Sequence, residues 1–153
     1  MPENVETGTQ NQEGMVGTGA AIDFLASLAD AETRRGKLKL AFEELHARSN
    51  ELVKMLWQGL AAIKGVKLYG PTPTELRTPT LSFTVSGVTS TDVARQLAAT
   101  GLFLSHGDFY AATVIERLGL VPEGLVRAGC ACYTTAEEIE RLIVGVEEIA
   151  RQK

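Results

Sequence analysis

The stretch that decides the fold is LVRAGCACYTTAEEIERLIVGVEEIA, which runs from Leu125 to Ala150. Its first part, Leu125 to Tyr133, is rich in small and branched apolar residues and predicts a strand that carries Arg127 on one face. Thr135, followed three residues later by Glu138, is the capping-box pattern that begins a helix. Apolar residues then recur at helical spacing, at Ile139, Leu142, Ile143, Val146 and Ile149. The stretch therefore predicts a strand followed by an amphipathic helix.

Upstream of this stretch, the pattern predicts two helices and then strands that alternate with helices. The helices are expected at 17–28 and 36–63, where apolar residues fall at three- and four-residue steps. Alternation of apolar and polar residues over 81–86 is typical of a strand with one buried face. Shorter strands are expected at VKLYG (66–70) and GLFL (101–104), and a short helix at AATVIERLG (111–119). This order indicates a small sheet covered by helices, in the α/β or the α+β class, of which we favour α+β.

Composition excludes several classes of function. The chain has 153 residues, 15 basic and 19 acidic side chains and a net charge of -4. Without a basic cluster it is a poor candidate for nucleic-acid binding. No run approaches the ~18 consecutive apolar residues of a membrane span. The polar, acidic start MPENVETGTQNQEG does not resemble a signal peptide, and we expect a cytoplasmic protein with no membrane partner.

The two cysteines do not predict a metal site. Cys130 and Cys132 would share one face of the predicted strand with Val126 and Ala128. A structural zinc ion needs about four ligands, and the two histidines of the chain have no ligand spacing. We interpret both cysteines as small apolar strand residues and expect no metal.

Three short stretches could carry chemistry. ETGTQN, at 6–11, places a glycine and threonine hydroxyls ahead of a helix, which suits a phosphate, although most such turns are ordinary caps. Arg127 is unusual in an apolar strand, because a buried guanidinium needs a partner. It could bind a substrate carboxylate or pair with an acid of the same domain, or the second face of the strand could simply be exposed to water. GLFLSHGDFYAATV, at 101–114, is either a polar surface loop or part of a site.

Taken together, ETGTQN, GTGAAIDFLASL and LVRAGCACYTTAEEIERL resemble the C-terminal part of class V aminotransferases and cysteine desulfurases. These are fold-type I enzymes that use pyridoxal phosphate. The resemblance extends from Glu6 to Ile149 and implies a small, mostly antiparallel sheet covered by helices. It also implies a dimer in the full-length protein, with active sites shared between subunits, and an exposed apolar face on the first two helices.

The resemblance implies site residues one by one. Thr9 matches the threonine that reaches the cofactor phosphate across the dimer interface, and Gly8 lets the backbone approach. Arg127 matches the arginine that holds the substrate α-carboxylate. The turn SHGDFYA matches the loop that contains the nucleophilic cysteine in some desulfurases, but Tyr110 occupies the cysteine position. We expect His106, Asp108 and Tyr110 to line the substrate end of the pocket. Thr134 is a further departure, since the family usually has asparagine there.

No residue of this chain matches the family's Schiff-base lysine, and no aspartate is placed to pair with the cofactor's pyridine nitrogen. We therefore expect 1–153 to be a single C-terminal domain whose large cofactor domain is absent. It would comprise a phosphate-side loop (1–16), two helices (17–63) and a sheet-and-helix part (64–153). Alone, it should contain no catalytic residue and bind pyridoxal phosphate weakly or not at all. The alternative is a stand-alone, non-catalytic binding or dimerisation module.

Overall fold

Five helices and four strands follow one another along residues 8–152, the part of the chain that this computed structural model describes. In chain order they are α1 (Gln12–Ser27), α2 (Arg34–Ala61), β1 (Val66–Tyr69), β2 (Thr80–Val85), α3 (Ser90–Ala99), β3 (Ser105–Gly107), α4 (Ala112–Arg117), β4 (Leu125–Gly129) and α5 (Ala136–Arg151). The chain forms two compact units, Met1–His46 and Ala47–Lys153. The boundary between these units lies inside α2. The expectation of a single C-terminal domain stays a prediction.

The first unit contains α1 and the beginning of α2. The first helix begins at Gln12, five residues earlier than expected, because the Asn11 side chain accepts a hydrogen bond of 2.8 Å from the Gly14 amide and caps it. Large apolar side chains are exposed on and beside these helices, at Met15, Val16, Ile22, Phe24, Leu28 and Phe42. The expected apolar exposure of this region is therefore present, while the homodimer stays a prediction.

The second unit is built on a four-stranded sheet with the strand order β1-β2-β4-β3. Each neighbouring pair is antiparallel, as Leu68 opposite Phe83 and Leu81 opposite Ala128 illustrate. The expected α+β class and the antiparallel sheet are confirmed. Helices cover one face of this sheet, because α3 and α5 contact β2, and α3 also contacts β3 and β4.

The core lies between the covered face of the sheet and the helices. In β2 the predicted alternation is present: Leu81, Phe83 and Val85 are buried, while the residues between them are half-buried. The sheet residues meet buried side chains of α2, α3 and α5, namely Leu52, Leu56, Leu60, Val93, Leu97, Ile139, Leu142 and Val146. Burial of each large apolar side chain contributes roughly 1.5–3 kcal/mol. This packing holds the helices against one face of the sheet and leaves the other face uncovered.

Two strand predictions were wrong in their limits. GLFL, at 101–104, is not a strand; the edge strand β3 begins at Ser105, where pairing with β4 starts. The strand expected to reach Tyr133 ends at Gly129, and a turn follows in which the Thr134 hydroxyl accepts from the Ala131 amide at 2.9 Å. That turn places Cys132 in solvent while Cys130 stays buried, so the two cysteines do not share a strand face.

The C-terminal helix matches its prediction closely. The Thr135 hydroxyl accepts from the Glu138 amide at 3.2 Å, and the Glu138 carboxylate accepts from the Thr135 amide at 2.9 Å. Both halves of the capping box are therefore formed. Within residues 8–152, none of the helices combines the length and apolar character needed to cross a membrane.

Candidate functional site

The uncovered face of the sheet carries a row of polar side chains that includes Arg127. Across the sheet, Tyr69 lies opposite Ser82, Ser82 opposite Arg127, and Arg127 opposite Ser105. Directly opposed residues of antiparallel strands project to the same face. The arginine therefore stands near the centre of this row, between two serines and opposite the face that packs in the core.

Among residues 8–152, the guanidinium of Arg127 has no acidic partner. Its side chain is exposed, and it forms no ion pair with any carboxylate of residues 8–152. The guanidinium carbon lies over the Phe109 ring, 4.0 Å from the centroid. The internal salt bridge, one of the three alternatives for this arginine, is absent from the described part of the chain. The exposure of Arg127 is compatible with both of the others, a strand face open to water and a ligand carboxylate. Its donors therefore face solvent on an open surface.

The loop that supplies Phe109 is fixed by close backbone packing. Gly107, at the end of β3, has a φ of +111°, which favours glycine. Gly124 comes just before β4 with a φ of +69°, and a Cβ at this position would overlap the carbonyl group of Gly107. The two glycines thus bring the start of the loop against the start of β4.

Asp108 organises the next turn. Its carboxylate accepts a hydrogen bond of 3.0 Å from the Tyr110 amide, and its carbonyl accepts one of 2.9 Å from the Ala111 amide. Phe109 and Tyr110 have φ values of 56° and 61°, a region that bulky residues rarely adopt. As a result, Phe109 is half-buried over Arg127, and Tyr110 is fully exposed beyond it.

His106 lies on the other face of β3. It is opposite Val126, which is a core residue, and its Nδ1 lies 3.4 Å from the Thr91 hydroxyl of α3. Its ring is thus on the helix side of the sheet edge, away from the face that carries Arg127. The substrate-binding role assigned to His106 stays a prediction, and this geometry does not bring it to Arg127.

Gly8 and Thr9 belong to the first unit, just ahead of the Asn11 cap of α1. Both are exposed, and neither has a hydrogen bond to another residue of the described chain. A hydroxyl and backbone amides near a helix N-terminus fit a phosphate group. The residues on their N-terminal side, including Glu6, lie outside the described residues. The cofactor role of Gly8 and Thr9 stays a prediction.

The thiols offer no second site. Burial raises the pKa of the Cys130 thiol, so this group stays protonated and apolar, while Cys132 is exposed on the turn after β4. In the part of the chain that the structure describes, no three His, Cys, Asp or Glu side chains are arranged to hold a metal ion.

Comparison with known proteins assigns the chain to a family. The aminotransferase class-V pattern matches residues 1–142. The chain belongs to the class-V aminotransferase family. This confirms the resemblance drawn from ETGTQN and the segment around Arg127.

Individual class-V proteins resemble the chain along nearly its whole length. A probable cysteine desulfurase of Xylella fastidiosa (strain 9a5c) is 28% identical over 150 residues, which are 98% of this chain and 32% of that protein. The apo structure of a cysteine desulfurase from Thermococcus onnurineus NA1 has a TM-score of 0.81 and 28% identity, covering 99% of this chain and 34% of the other. The chain therefore spans about a third of the length of these relatives.

A second solved structure shows the fold at greater distance. A mutant of C-DES, which carries glycine covalently linked to its PLP cofactor, has a TM-score of 0.54 and 20% identity over 73% of this chain and 27% of its own. At this identity the likeness establishes the fold alone.

Two site features of this class-V chain escaped the sequence analysis. One is Phe109, which lies inside the loop singled out for its polar residues and turns out to contact Arg127. The other is the pair of serines, Ser82 and Ser105, that flank the arginine. Sequence alone could have shown only that an aromatic residue adjoins Asp108. The contact of Phe109 with Arg127 depends on strand register and on the positive φ angles of Phe109 and Tyr110.

Proposed function

We propose that this chain is the C-terminal part of a pyridoxal phosphate-dependent enzyme that acts on an amino acid, and that Arg127 binds the substrate α-carboxylate. The observation that supports this is an exposed guanidinium on the open sheet face with no acid beside it among residues 8–152. The planar fork of a guanidinium matches a carboxylate with two parallel hydrogen bonds. An arginine left without an internal partner is available for such an anion.

The loop after β3 would form the substrate end of the pocket. Asp108 holds the turn through its bond to the Tyr110 amide, and the exposed phenol of Tyr110 extends from it. His106 is the third residue that the resemblance assigns here, although its ring points to Thr91. We infer that these residues orient the substrate, with its carboxylate at Arg127 and its side chain towards this loop.

The loop lacks the thiol of a desulfurase. Tyr110 occupies the position of the nucleophilic cysteine, and a phenol does not accept sulfur as a persulfide. Cys132 is exposed but lies on the turn after β4, not on this loop. We infer that the reaction differs from desulfuration through an enzyme persulfide, and that elimination or amino transfer are the candidate outcomes.

The cofactor would be held in part by the first unit. Gly8 and Thr9 are the residues that would receive its phosphate, through backbone amides and the threonine hydroxyl, in a site shared between the subunits of a homodimer. When bound, pyridoxal phosphate supplies an electron sink for bonds at the substrate α-carbon. The chain's own contribution would be to bind two anionic groups, the phosphate at Gly8 and Thr9 and the carboxylate at Arg127.

The lysine that anchors the cofactor is not supplied by this chain in our proposal. The lysines within residues 8–152 are exposed or half-buried: Lys37, Lys39, Lys54, Lys64 and Lys67. Lysines that form Schiff bases are usually desolvated, so that the amine is neutral. We therefore expect the lysine, and the large domain that carries it, in another part of the protein.

A spectral titration of the full-length protein tests the proposal. Pyridoxal phosphate is bound first, and a panel of amino acids is then added while the absorbance of the cofactor is recorded. A saturable change with at least one amino acid is expected. Protein that retains no cofactor, or whose spectrum does not respond to any amino acid, would instead indicate a non-catalytic binding or dimerisation module.

A further inference from the structure

We propose that Phe109 is a positioning residue for Arg127: its ring holds the guanidinium in place while leaving the carboxylate-binding donors free. This rests on the proposed function, because it assigns Arg127 to the substrate carboxylate. Phe109 has no polar group, and the family resemblance assigns it no role. Three observations carry the proposal: the ring contact, the backbone that produces it and the surroundings of the arginine.

The contact leaves the hydrogen-bonding capacity of Arg127 unused. The guanidinium carbon lies over the Phe109 ring at 4.0 Å from the centroid, a distance at which the π-system attracts a cation. Guanidinium N–H groups point outward in the plane of the group, so an aromatic ring over its face does not occupy them. An acidic partner would have taken the same donors that a carboxylate needs. The ring therefore orients the group without competing with a substrate.

The backbone of the loop is held in an unfavourable conformation to place this ring. Phe109 and Tyr110 both have positive φ, and bulky residues with such values persist only where the surroundings impose them. The Asp108 carboxylate supplies the local constraint through the Tyr110 amide at 3.0 Å. The consequence is that one aromatic side chain turns back over the sheet and the next points into solvent.

No hydrogen bond or ion pair within residues 8–152 restrains the guanidinium. The residues opposite Arg127 on both neighbouring strands are Ser82 and Ser105, and neither is hydrogen-bonded to it. A long side chain that is free in solvent loses rotamer entropy when a ligand fixes it, which weakens binding. Contact with Phe109 already restricts the Arg127 side chain before the ligand binds, so less rotamer entropy is lost on binding. Loss of the ring should therefore weaken carboxylate binding by about 2- to 10-fold, which corresponds to the rotamer freedom lost when a ligand fixes one long side chain.

The test compares two ring-free variants, Phe109→Leu and Phe109→Met, with Phe109→Tyr, which keeps the ring. Phe103→Leu is the matched control, because Phe103 is an exposed phenylalanine of the preceding segment whose ring makes no cation–π contact with an arginine of residues 8–152. Each full-length protein, with pyridoxal phosphate bound, is titrated with L-alanine and with L-alaninamide, which lacks the carboxylate. In a second measurement, the protein is selectively labelled at arginine and studied by NMR without amino acid. The side-chain signal of Arg127 then reports its contact with the Phe109 ring independently of the cofactor reaction.

We expect the ring-free variants to lose affinity for L-alanine but not for L-alaninamide, and to lose the ring-current shift of the Arg127 signal. Phe109→Tyr and Phe103→Leu should behave as the parent protein does. Equal loss for both ligands, or an Arg127 signal without a ring-current shift in the parent, would overturn the positioning role and leave the proposed function standing. If the parent and Arg127→Ala bind L-alanine equally, or neither binds it, the proposed function fails as well.

Discussion

Gly124 packs against the carbonyl group of Gly107 so closely that no Cβ could be accommodated at position 124. The contact joins the residue before β4 to the last residue of β3, and so joins the strand of Arg127 to the loop of Phe109. The site depends on this backbone contact, because neither the arginine nor the ring could keep its place if the two strands separated at this end.

Gly124→Ala should destabilise the protein far more than Gly119→Ala. The two glycines have nearly the same φ, +69° and +70°, but a Cβ at 119 would meet no atom within 4 Å. An alanine forced into this region costs roughly 1–2 kcal/mol, which both variants share. The overlap with Gly107 should add at least about 1 kcal/mol, by comparison with overpacked cores. Urea denaturation measures the difference, and equal midpoints would contradict the close contact.

Arg127→Ala should weaken amino-acid binding in the full-length protein by at least about 2 kcal/mol, the typical loss for a charge-assisted pair. Spectral titration of the cofactor-bound protein gives the dissociation constant. Arg95→Ala serves as the control, because Arg95 is an exposed arginine of α3 that pairs with Asp92 at 2.6 Å. Unchanged affinity in Arg127→Ala would remove the assignment of Arg127 to the carboxylate.

The 153-residue chain alone should not form a stable Schiff base with pyridoxal phosphate. Its described lysines are exposed or half-buried, so their amines are solvated, and no residue matches the family lysine. After incubation with the cofactor and gel filtration, no yellow absorbance should remain with the protein. A stable yellow adduct that borohydride fixes to one lysine would show that this chain supplies the anchoring amine.

Cys130 should make stability fall at alkaline pH. Burial raises the pKa of its thiol above the value of the unfolded chain. Between the unfolded pKa, about 8.5, and the higher folded pKa, the unfolded state binds fewer protons, and stability is lost as the pH rises. Denaturation at pH 7 and at pH 9.5 should show a smaller decline in Cys130→Ala than in the parent. Cys132→Ala, which removes the exposed thiol, should keep the parent's decline.

Local elements of this protein could be read from residue patterns. The Thr135–Glu138 capping box and the two-residue period of 81–86 indicated α5 and β2 correctly, because caps and alternation act between residues that are near in sequence. The limits of β3 and β4 could not be read in this way. An edge strand ends where its partner stops pairing. GLFL has the apolar composition of a strand, but the pairing with β4 begins only after it, at Ser105.

The sequence by itself determined the α+β class, the family resemblance and the choice of Arg127, since these depend on residue types and their order. Only the tertiary structure decided which groups meet. Strand register put Ser82 and Ser105 beside Arg127 and turned His106 to the opposite face. Two left-handed residues brought Phe109 over the guanidinium. These outcomes depend on packing between segments about twenty to forty-five residues apart, a distance over which spacing along one chain carries no geometric information.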